Sequence, residues 1–95
     1  METVILRVSQ IEPDRKQPRK YFNEQSLYDL ADSILQYGVI EPIIVTSMPN
    51  GFYKIVAGER RWRASRIAQL REIPAIVKDD ISELDAFKIS FSENL

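Results

Sequence analysis

The sequence has 95 residues, a formal net charge of −1 and an isoelectric point of about 5.4. It contains no cysteine and no histidine, which excludes a disulfide framework, a zinc site of the usual ligands and any Cys or His nucleophile or base. A dedicated nucleic-acid-binding domain is normally basic overall, so any anion-binding function of this chain must be local. No apolar run approaches the roughly 20 residues of a membrane span, and no signal-peptide pattern opens the chain. We therefore expect one soluble intracellular domain.

The first half of the chain predicts one strand and one amphipathic helix with a long connection between them. Residues 3–8, TVILRV, alternate as a half-buried strand does, and residues 9–22 contain two prolines and many charges, which is typical of an irregular connection. Asn23 is a suitable N-cap, and Gly38 suits the left-handed position that ends a helix. Between them the apolar residues recur with helical spacing and form one stripe: Leu27, Leu30, Ala31, Ile34 and Leu35.

The second half predicts a β-hairpin, a helix, a strand and a last helix. β-Branched and aromatic residues are frequent in 42–46 and 52–57, and the Asn-Gly pair in the turn between them is a good hairpin signal. A helix is expected over 59–69, a short strand over 73–77, and Ser82 can cap the final helix. The chain ends inside that helix without a stop signal, so we expect it to be part of a longer protein. The order β-α-β-β-α-β-α indicates a mixed α/β or α+β domain around one small sheet.

The second predicted helix opens with an unusual charge pattern, GERRWRASR, from Gly58 to Arg66. One glutamate is followed by four arginines, although a helix N-terminus already carries partial positive charge and each misplaced cation there costs roughly 0.3–1 kcal/mol. Backbone N–H groups at a helix start bind phosphate, and an arginine fork binds it bidentately. The pattern favours a phosphate site, although not a Walker A loop. The alternative is a solvated face of arginines paired with carboxylates.

Helical spacing divides this segment into two sides. Ala64, Ile67 and Ala68 define the expected buried side, and Arg60 points into its centre, where an unpaired charge is unfavourable. Trp62 points almost opposite, so we expect it to be at least partly exposed. The other residues on its side are Ser65, Arg66 and Gln69.

Three further segments allow either a functional or an ordinary structural interpretation. Residues 17–20, QPRK, offer an amide that can read a base edge and a guanidinium that can hold phosphate, or they form a solvated turn. Residues 38–45, GVIEPIIV, are explained by a helix stop and a strand start, although backbone groups near Gly38 can also line a pocket. Glu93 and Asn94 offer the oxygen ligands that Mg²⁺ prefers, or they are a polar helix end.

Together these segments resemble a known family. The stretches QPRKYF, LADSI, GVIEPIIV, VAGERRWRAS, IPAIV and ENL are similar to the N-terminal domain of the ParB chromosome and plasmid partition proteins. The resemblance runs from about Ile11 to Leu95, and its most specific part is the GERRxRA block. It implies an α+β fold of the ParB N-terminal, sulfiredoxin-like type, with a small mixed sheet and about three helices. Residues 1–95 would form this nucleotide-binding domain, and the family's helix-turn-helix and C-terminal dimerisation domains would lie outside the chain.

The resemblance further implies a site for CTP and Mg²⁺. Glu93 and Asn94 would begin the family's ENxxR block and bind the metal. Glu59 and Glu93 are the candidates for orienting water or metal in a slow CTP hydrolysis. The residues that the resemblance assigns to the nucleotide are Gln17, Pro18, Arg19, Gly38, Val39, Ile40, Gly58, Glu59, Arg60, Arg61 and Arg63.

Members of the family use such a site as a switch, in which nucleotide binding at a centromere-like DNA site closes a dimer into a clamp on DNA and hydrolysis reopens it. The resemblance therefore implies binding to DNA and self-association through segments outside the chain. It also implies a partition ATPase as partner, no membrane association, and a cytoplasmic, nucleoid-associated protein. Two positions depart from the family's usual residues. Glu41 stands where Gln is common, which would alter nucleoside contacts, and Gln69 stands where Gly is common, which would weaken a helix cap.

Two other functional classes remain as alternatives. A ParB-like nuclease would need a metal cluster, for which only Glu59, Glu93 and Asn94 are candidates. A module that binds nucleic acid or a partner without nucleotide turnover would show a steep salt dependence and no preference for one base. A sulfiredoxin-like reductase is excluded, because its chemistry needs a cysteine and the chain has none.

Overall fold

The structure is a computed structural model that describes residues 2–14, 22–39, 41–80, 85 and 88–89. A 3₁₀ turn, Val8–Gln10, separates its first two strands. Within the described residues the elements are β1 (Val4–Arg7), β2 (Ile11–Glu12), α1 (Glu24–Tyr37), β3 (Ile43–Ser47), β4 (Tyr53–Ala57), α2 (Glu59–Ile67) and β5 (Glu72–Val77). The predicted last helix falls outside the described residues, apart from the isolated helical positions 85, 88 and 89. No helix in the described ranges is both long and apolar enough to cross a bilayer.

The strands form one mixed sheet in the order β1-β5-β3-β4-β2. β1 pairs antiparallel with β5, and β3 pairs antiparallel with β4, whereas β3–β5 and β2–β4 are parallel pairs. The α+β class, the hairpin and the four predicted strands are thereby confirmed. The prediction of an irregular connection is wrong at Ile11–Glu12, which adds a strand to the edge beside β4. Two residues are too few to show the alternation by which a strand is predicted.

The end of β5 is tied to the end of β3 through one carboxylate. Asp79 accepts hydrogen bonds from the backbone N–H of Ser47 at 2.7 Å, from the Ser47 hydroxyl at 2.9 Å and from the Thr46 hydroxyl at 3.2 Å. These bonds, the backbone one first, hold the pKa of Asp79 below its usual value. This link fixes the ladder beside the hairpin.

Helix α1 begins and ends where the sequence predicts. The Asn23 side chain accepts a hydrogen bond from the backbone N–H of Ser26 at 2.9 Å, which is a side-chain N-cap. Gly38 has φ 78° and ψ 178°, so the positive φ is confirmed although ψ lies outside the left-handed helical region. Leu35, predicted in the apolar stripe, is 63% exposed. The reason is that α1 packs mainly on α2, and one neighbouring helix covers only a narrow stripe.

Helix α2 is buried on two sides, which contradicts the predicted division into one buried and one exposed face. Ala64 packs with residues of α1 in one core cluster, whereas Trp62 belongs to the main cluster formed with the sheet. Trp62 is only 5% exposed and Ser65 is fully buried, so the prediction that both lie on an exposed side is wrong. Ile67, predicted to be buried, is 40% exposed because it lies at the end of the helix. A helix between two layers has no single apolar stripe.

The C-terminus of α2 has the geometry of a Schellman motif. The Leu70 N–H donates to the Ser65 carbonyl at 3.0 Å, and the Gln69 N–H donates to the Arg66 carbonyl at 3.0 Å, which is the pair of bonds that defines the motif. Gln69 has φ 60°, a conformation that glycine adopts freely and that other residues adopt at a steric cost. Gln69 therefore occupies a position that suits glycine.

We expect Gln69→Gly to stabilise the domain by about 1 kcal/mol, because it removes the steric cost of the left-handed conformation. Thermal unfolding followed by circular dichroism should show a melting temperature about 4–8 °C higher. Gln36→Gly, at an exposed position in the last turn of α1, is the matched control and should not raise the melting temperature, since glycine at a position with helical φ and ψ costs up to about 1 kcal/mol. An unchanged or lower melting temperature for Gln69→Gly would contradict the strain argument.

Candidate functional site

A cavity of about 370 Å³ lies between α1 and the start of α2. This volume is within the range of about 300–1,000 Å³ that small-molecule sites usually have. The cavity brings together six of the residues that the sequence assigns to the nucleotide: Gly38, Val39, Gly58, Glu59, Arg60 and Arg61. They come from two segments about 20 positions apart in the chain, the end of α1 and the β4–α2 junction.

Gly58 makes the sharp turn from β4 into α2. Its φ of 98° and ψ of 26° place it in the left-handed region, which favours glycine. A Cβ atom at this position would lie 2.7 Å from Cγ2 of Ile43, a fully buried side chain of β3, and 3.0 Å from Nη1 of Arg61. Gly58 is therefore required both by its backbone conformation and by the close approach of the strand and of the Arg61 side chain.

Arg61 crosses from α2 to the segment that follows α1. Its Nη1 donates to the Pro42 carbonyl at 3.0 Å, and its Nη2 lies 3.4 Å from Oε2 of Glu41. The Arg61 side chain is largely buried, whereas the Glu41 side chain is mostly exposed. The carbonyl contact fixes the guanidinium, and the long contact with an exposed carboxylate is one that an incoming anion can replace.

Arg60 lies on the side of α2 that faces α1, as the helical spacing predicts. Its Nη2 donates to the hydroxyl of Ser26 at 2.5 Å, in the first turn of α1. Because Ser26 is neutral, this bond orients the Arg60 guanidinium without neutralising its charge. The half-buried cation is thus held at the wall of the cavity.

Glu59 and Arg63 form an ion pair one turn apart on α2. Nε of Arg63 donates to Oε2 of Glu59 at 2.8 Å, and the Arg63 guanidinium stacks over the Phe22 ring at 4.3 Å from its centre. Glu59 lines the cavity, whereas Arg63 is not part of its lining. The pair orients the Glu59 carboxylate beside the two cavity arginines, and Phe22 connects it to the segment before α1.

Several sequence-predicted site residues lie outside the described residues: Gln17, Pro18, Arg19, Ile40, Glu93 and Asn94. Conversely, the sequence did not predict that Leu30, Ser33 and Ile34 would line the cavity. Leu30 and Ile34 were assigned to the core stripe of α1, and no local signal separates a core position from a cavity wall. Only the packing of α1 against α2 shows that this stripe passes the start of α2.

The chemistry of these residues fits a nucleoside triphosphate with Mg²⁺. The first N–H groups of a helix have no partner within it, and at α2 they lie beside Arg60 and Arg61. No group of three or more acidic side chains that could hold a metal occurs among the described residues. Two carboxylates among the described residues, Glu41 and Glu59, lie on the cavity wall, and Mg²⁺ is usually held by one or two protein oxygens together with substrate phosphates.

Comparisons with known proteins agree with the sequence resemblance. The ParB N-terminal domain family matches residues 1–95. The chain is 49% identical over 90 residues to the chromosome-partitioning protein ParB of Myxococcus xanthus, which covers 95% of this chain and 30% of that protein. The chain thus spans about a third of the length of this relative.

Solved structures show the same fold. The C-terminally truncated chromosome-partitioning protein ParB of Caulobacter crescentus, complexed with CTPγS, matches with a TM-score of 0.92 and 37% identity over 100% of this chain and 53% of that one. The same protein complexed with the centromeric parS site matches with a TM-score of 0.81 and 35% identity, covering 96% and 46% of the two chains. Sulfiredoxin from Arabidopsis thaliana matches with a TM-score of 0.67 and 28% identity over 83% and 86%, which confirms the predicted fold type. The family match over the whole chain, the identity to a curated partition protein and the shared fold show that the chain belongs to the ParB N-terminal domain family.

Proposed function

We propose that this domain binds CTP with Mg²⁺ in the cavity between α1 and α2. The observation that carries the proposal is the placement of two oriented arginines, Arg60 and Arg61, at the glycine-initiated N-terminus of α2, beside a cavity of about 370 Å³. The Caulobacter homologue complexed with CTPγS supports the choice of nucleotide. The match to a chromosome-partitioning protein supports a role in chromosome or plasmid segregation.

In this proposal the phosphates bind at the start of α2. The free N–H groups and the helix dipole stabilise negative charge there, and Arg60 and Arg61 add charge-assisted hydrogen bonds. The phosphates replace the Glu41 carboxylate as the partner of Nη2 of Arg61. The nucleoside lies toward Gly38 and Val39, together with the predicted contacts of Gln17, Pro18, Arg19 and Ile40.

Mg²⁺ supplies charge neutralisation between the phosphates when it is bound. Glu59 would help to hold the metal or to orient a water at the phosphates, since its ion pair with Arg63 fixes the position of its carboxylate. Glu93 and Asn94 complete the predicted metal ligands. In a longer chain the hydrolysis is slow and resets the switch.

In a longer protein the same site acts as a switch for DNA. We propose that CTP binding at a centromere-like site closes a self-associated clamp on DNA, with a partition ATPase as partner. The protein then works in the cytoplasm on the nucleoid. The relative complexed with parS supports DNA as the target.

A nucleotide panel followed by thermal unfolding tests the proposal. We expect CTP with Mg²⁺ to raise the melting temperature and ATP, GTP and UTP not to, since a ligand at about 100 times its Kd stabilises by about 2.7 kcal/mol. Arg60→Ala should abolish the shift, because it removes a phosphate contact made by an oriented cation. Lys54→Ala on β4 is the matched control, since Lys54 does not line the cavity and its loss changes the net charge equally.

Two outcomes would contradict the proposal, in this chain and in one extended past Leu95. Equal or absent stabilisation by all four nucleotides would remove the claim for CTP. A shift with steep salt dependence and no base preference would favour the simple anion-binding module instead.

A further inference from the structure

A second and larger groove, of about 880 Å³, lies at the other end of α2 beside β1 and β5. It shares no lining residue with the nucleotide cavity. Three arginines line it: Arg7, Arg66 and Arg71. We propose that this groove binds the sugar-phosphate backbone of duplex DNA without regard to sequence. This contact is independent of the proposed nucleotide site.

The three arginines lie around one backbone position, Val8. The Val8 N–H donates to the Arg71 carbonyl at 2.9 Å, and the Val8 carbonyl accepts a hydrogen bond from Nε1 of Trp62 at 3.3 Å. Arg7 is the residue before Val8, and the Arg66 guanidinium lies over the Trp62 ring at 4.7 Å from its centre. The buried indole, its hydrogen bond to Val8 and the backbone hydrogen bond from Val8 to Arg71 therefore set the positions from which the three cations project.

The positive charge of the groove is only partly compensated within the described part of the protein. Arg7, Arg66 and Arg71 are exposed, and among the described residues none of them has a carboxylate oxygen within 4.0 Å. The one carboxylate of the lining belongs to Glu72, which is paired in register with Arg7 across β1 and β5. Three cations against one anion, in a chain whose net charge is −1, form a local basic patch.

The chemistry of the patch suits a polyanion with regularly spaced phosphates. A guanidinium fork matches phosphate geometry, and contacts to phosphates position a protein on DNA without reading its sequence. The Caulobacter homologue complexed with parS shows that a relative of this chain binds duplex DNA. Because the net charge is slightly negative, the groove adds a weak contact of its own, distinct from any sequence-reading element.

Fluorescence anisotropy at low salt, with a short labelled duplex of arbitrary sequence, tests the groove. We expect the triple variant Arg7→Gln, Arg66→Gln and Arg71→Gln to lose about ten-fold or more in affinity and to reduce the slope of log K against log salt by about 3, since each phosphate contact contributes about 0.9. The matched control carries Lys54→Gln, Lys78→Gln and Lys88→Gln, which removes the same charge from positions outside the groove. This control should change the DNA affinity and the salt slope much less than the arginine variant does.

A variant with lysine at the same three positions separates loss of charge from loss of fold. It should retain most of the DNA affinity, because a phosphate is also bound by a point charge. Its circular dichroism spectrum and that of the glutamine variant should match the wild type. The rise in melting temperature caused by CTP should remain in both variants. The experiment therefore tests DNA binding by the groove separately from CTP binding in the cavity.

Three results would overturn the proposal. The first is equal loss of affinity in the groove variant and the lysine-site control, which would show that only net charge matters. The second is the absence of DNA binding by the wild-type chain at low salt. The third is tighter binding of an acidic peptide than of the duplex, which would assign the groove to a protein partner.

Discussion

Gly58→Ala is expected to destabilise the domain by about 2–5 kcal/mol. A methyl group at this position meets Cγ2 of Ile43 at 2.7 Å, and insertion of atoms into a packed core costs about 1–3 kcal/mol. The φ of 98° adds about 1–2 kcal/mol, because an L-residue with a side chain is strained in the left-handed region. Urea unfolding followed by circular dichroism measures the sum.

The control for this variant is Gly51→Ala in the hairpin turn. Gly51 has φ 85°, but an added Cβ atom there would meet nothing within 4 Å. It should therefore cost only the backbone part, about 1–2 kcal/mol, and leave CTP binding intact. Gly58→Ala should also weaken CTP binding, because Nη1 of Arg61 lies 3.0 Å from the added methyl position. Equal destabilisation by the two variants would contradict the proposed contact between Gly58 and β3.

Trp62→Ala is expected to destabilise the domain by about 3–5 kcal/mol, the usual effect of removing a large buried aromatic side chain. Trp62 is 5% exposed and packs in the main core cluster together with residues of the sheet. Its loss leaves a cavity between α2 and the sheet and removes the Nε1 hydrogen bond to the Val8 carbonyl. Chemical unfolding of the purified variant gives the free energy directly.

A second Trp62 variant isolates the hydrogen bond, and an exposed aromatic residue serves as the control. Trp62→Phe keeps an aromatic ring but removes the bond from Nε1 to the Val8 carbonyl, which contributes about 0.5–1.5 kcal/mol. Tyr37→Ala removes an aromatic side chain that is 71% exposed and should change stability by less than about 0.5 kcal/mol. If Trp62→Ala resembled Tyr37→Ala, the exposed Trp62 predicted from helical spacing would be correct and the buried position wrong.

The fold was predictable wherever one local signal decided the structure. Asn23 caps α1, Gly38 ends it with a positive φ, and the turn at Asn50 and Gly51 joins two strands, because each depends on residues close in sequence. Helix α2 was predictable in place but not in orientation. Its small and aromatic residues are buried against two different layers, which a rule for one apolar stripe does not describe.

The candidate site was predictable in part for the same physical reason. The charge pattern at the start of α2 predicted a phosphate site and singled out Arg60, the family resemblance added Arg61, and both side chains line a cavity in the structure. The contributions of Leu30 and Ser33 depend on how α1 crosses α2, which no local pattern specifies. The groove near Val8 was not predicted at all, since its arginines come from three separate segments.

The arginines at the start of α2 are already restrained by the protein itself. Arg60 is held by Ser26, Arg61 by the Pro42 carbonyl, and Arg63 by Glu59. Each long side chain immobilised on binding normally costs about 0.5–1.5 kcal/mol of affinity in lost rotational freedom. In this domain much of that entropy is lost during folding, so a ligand at the start of α2 meets a preorganised set of cations. Selectivity between anions then depends on how well their shape matches a fixed arrangement.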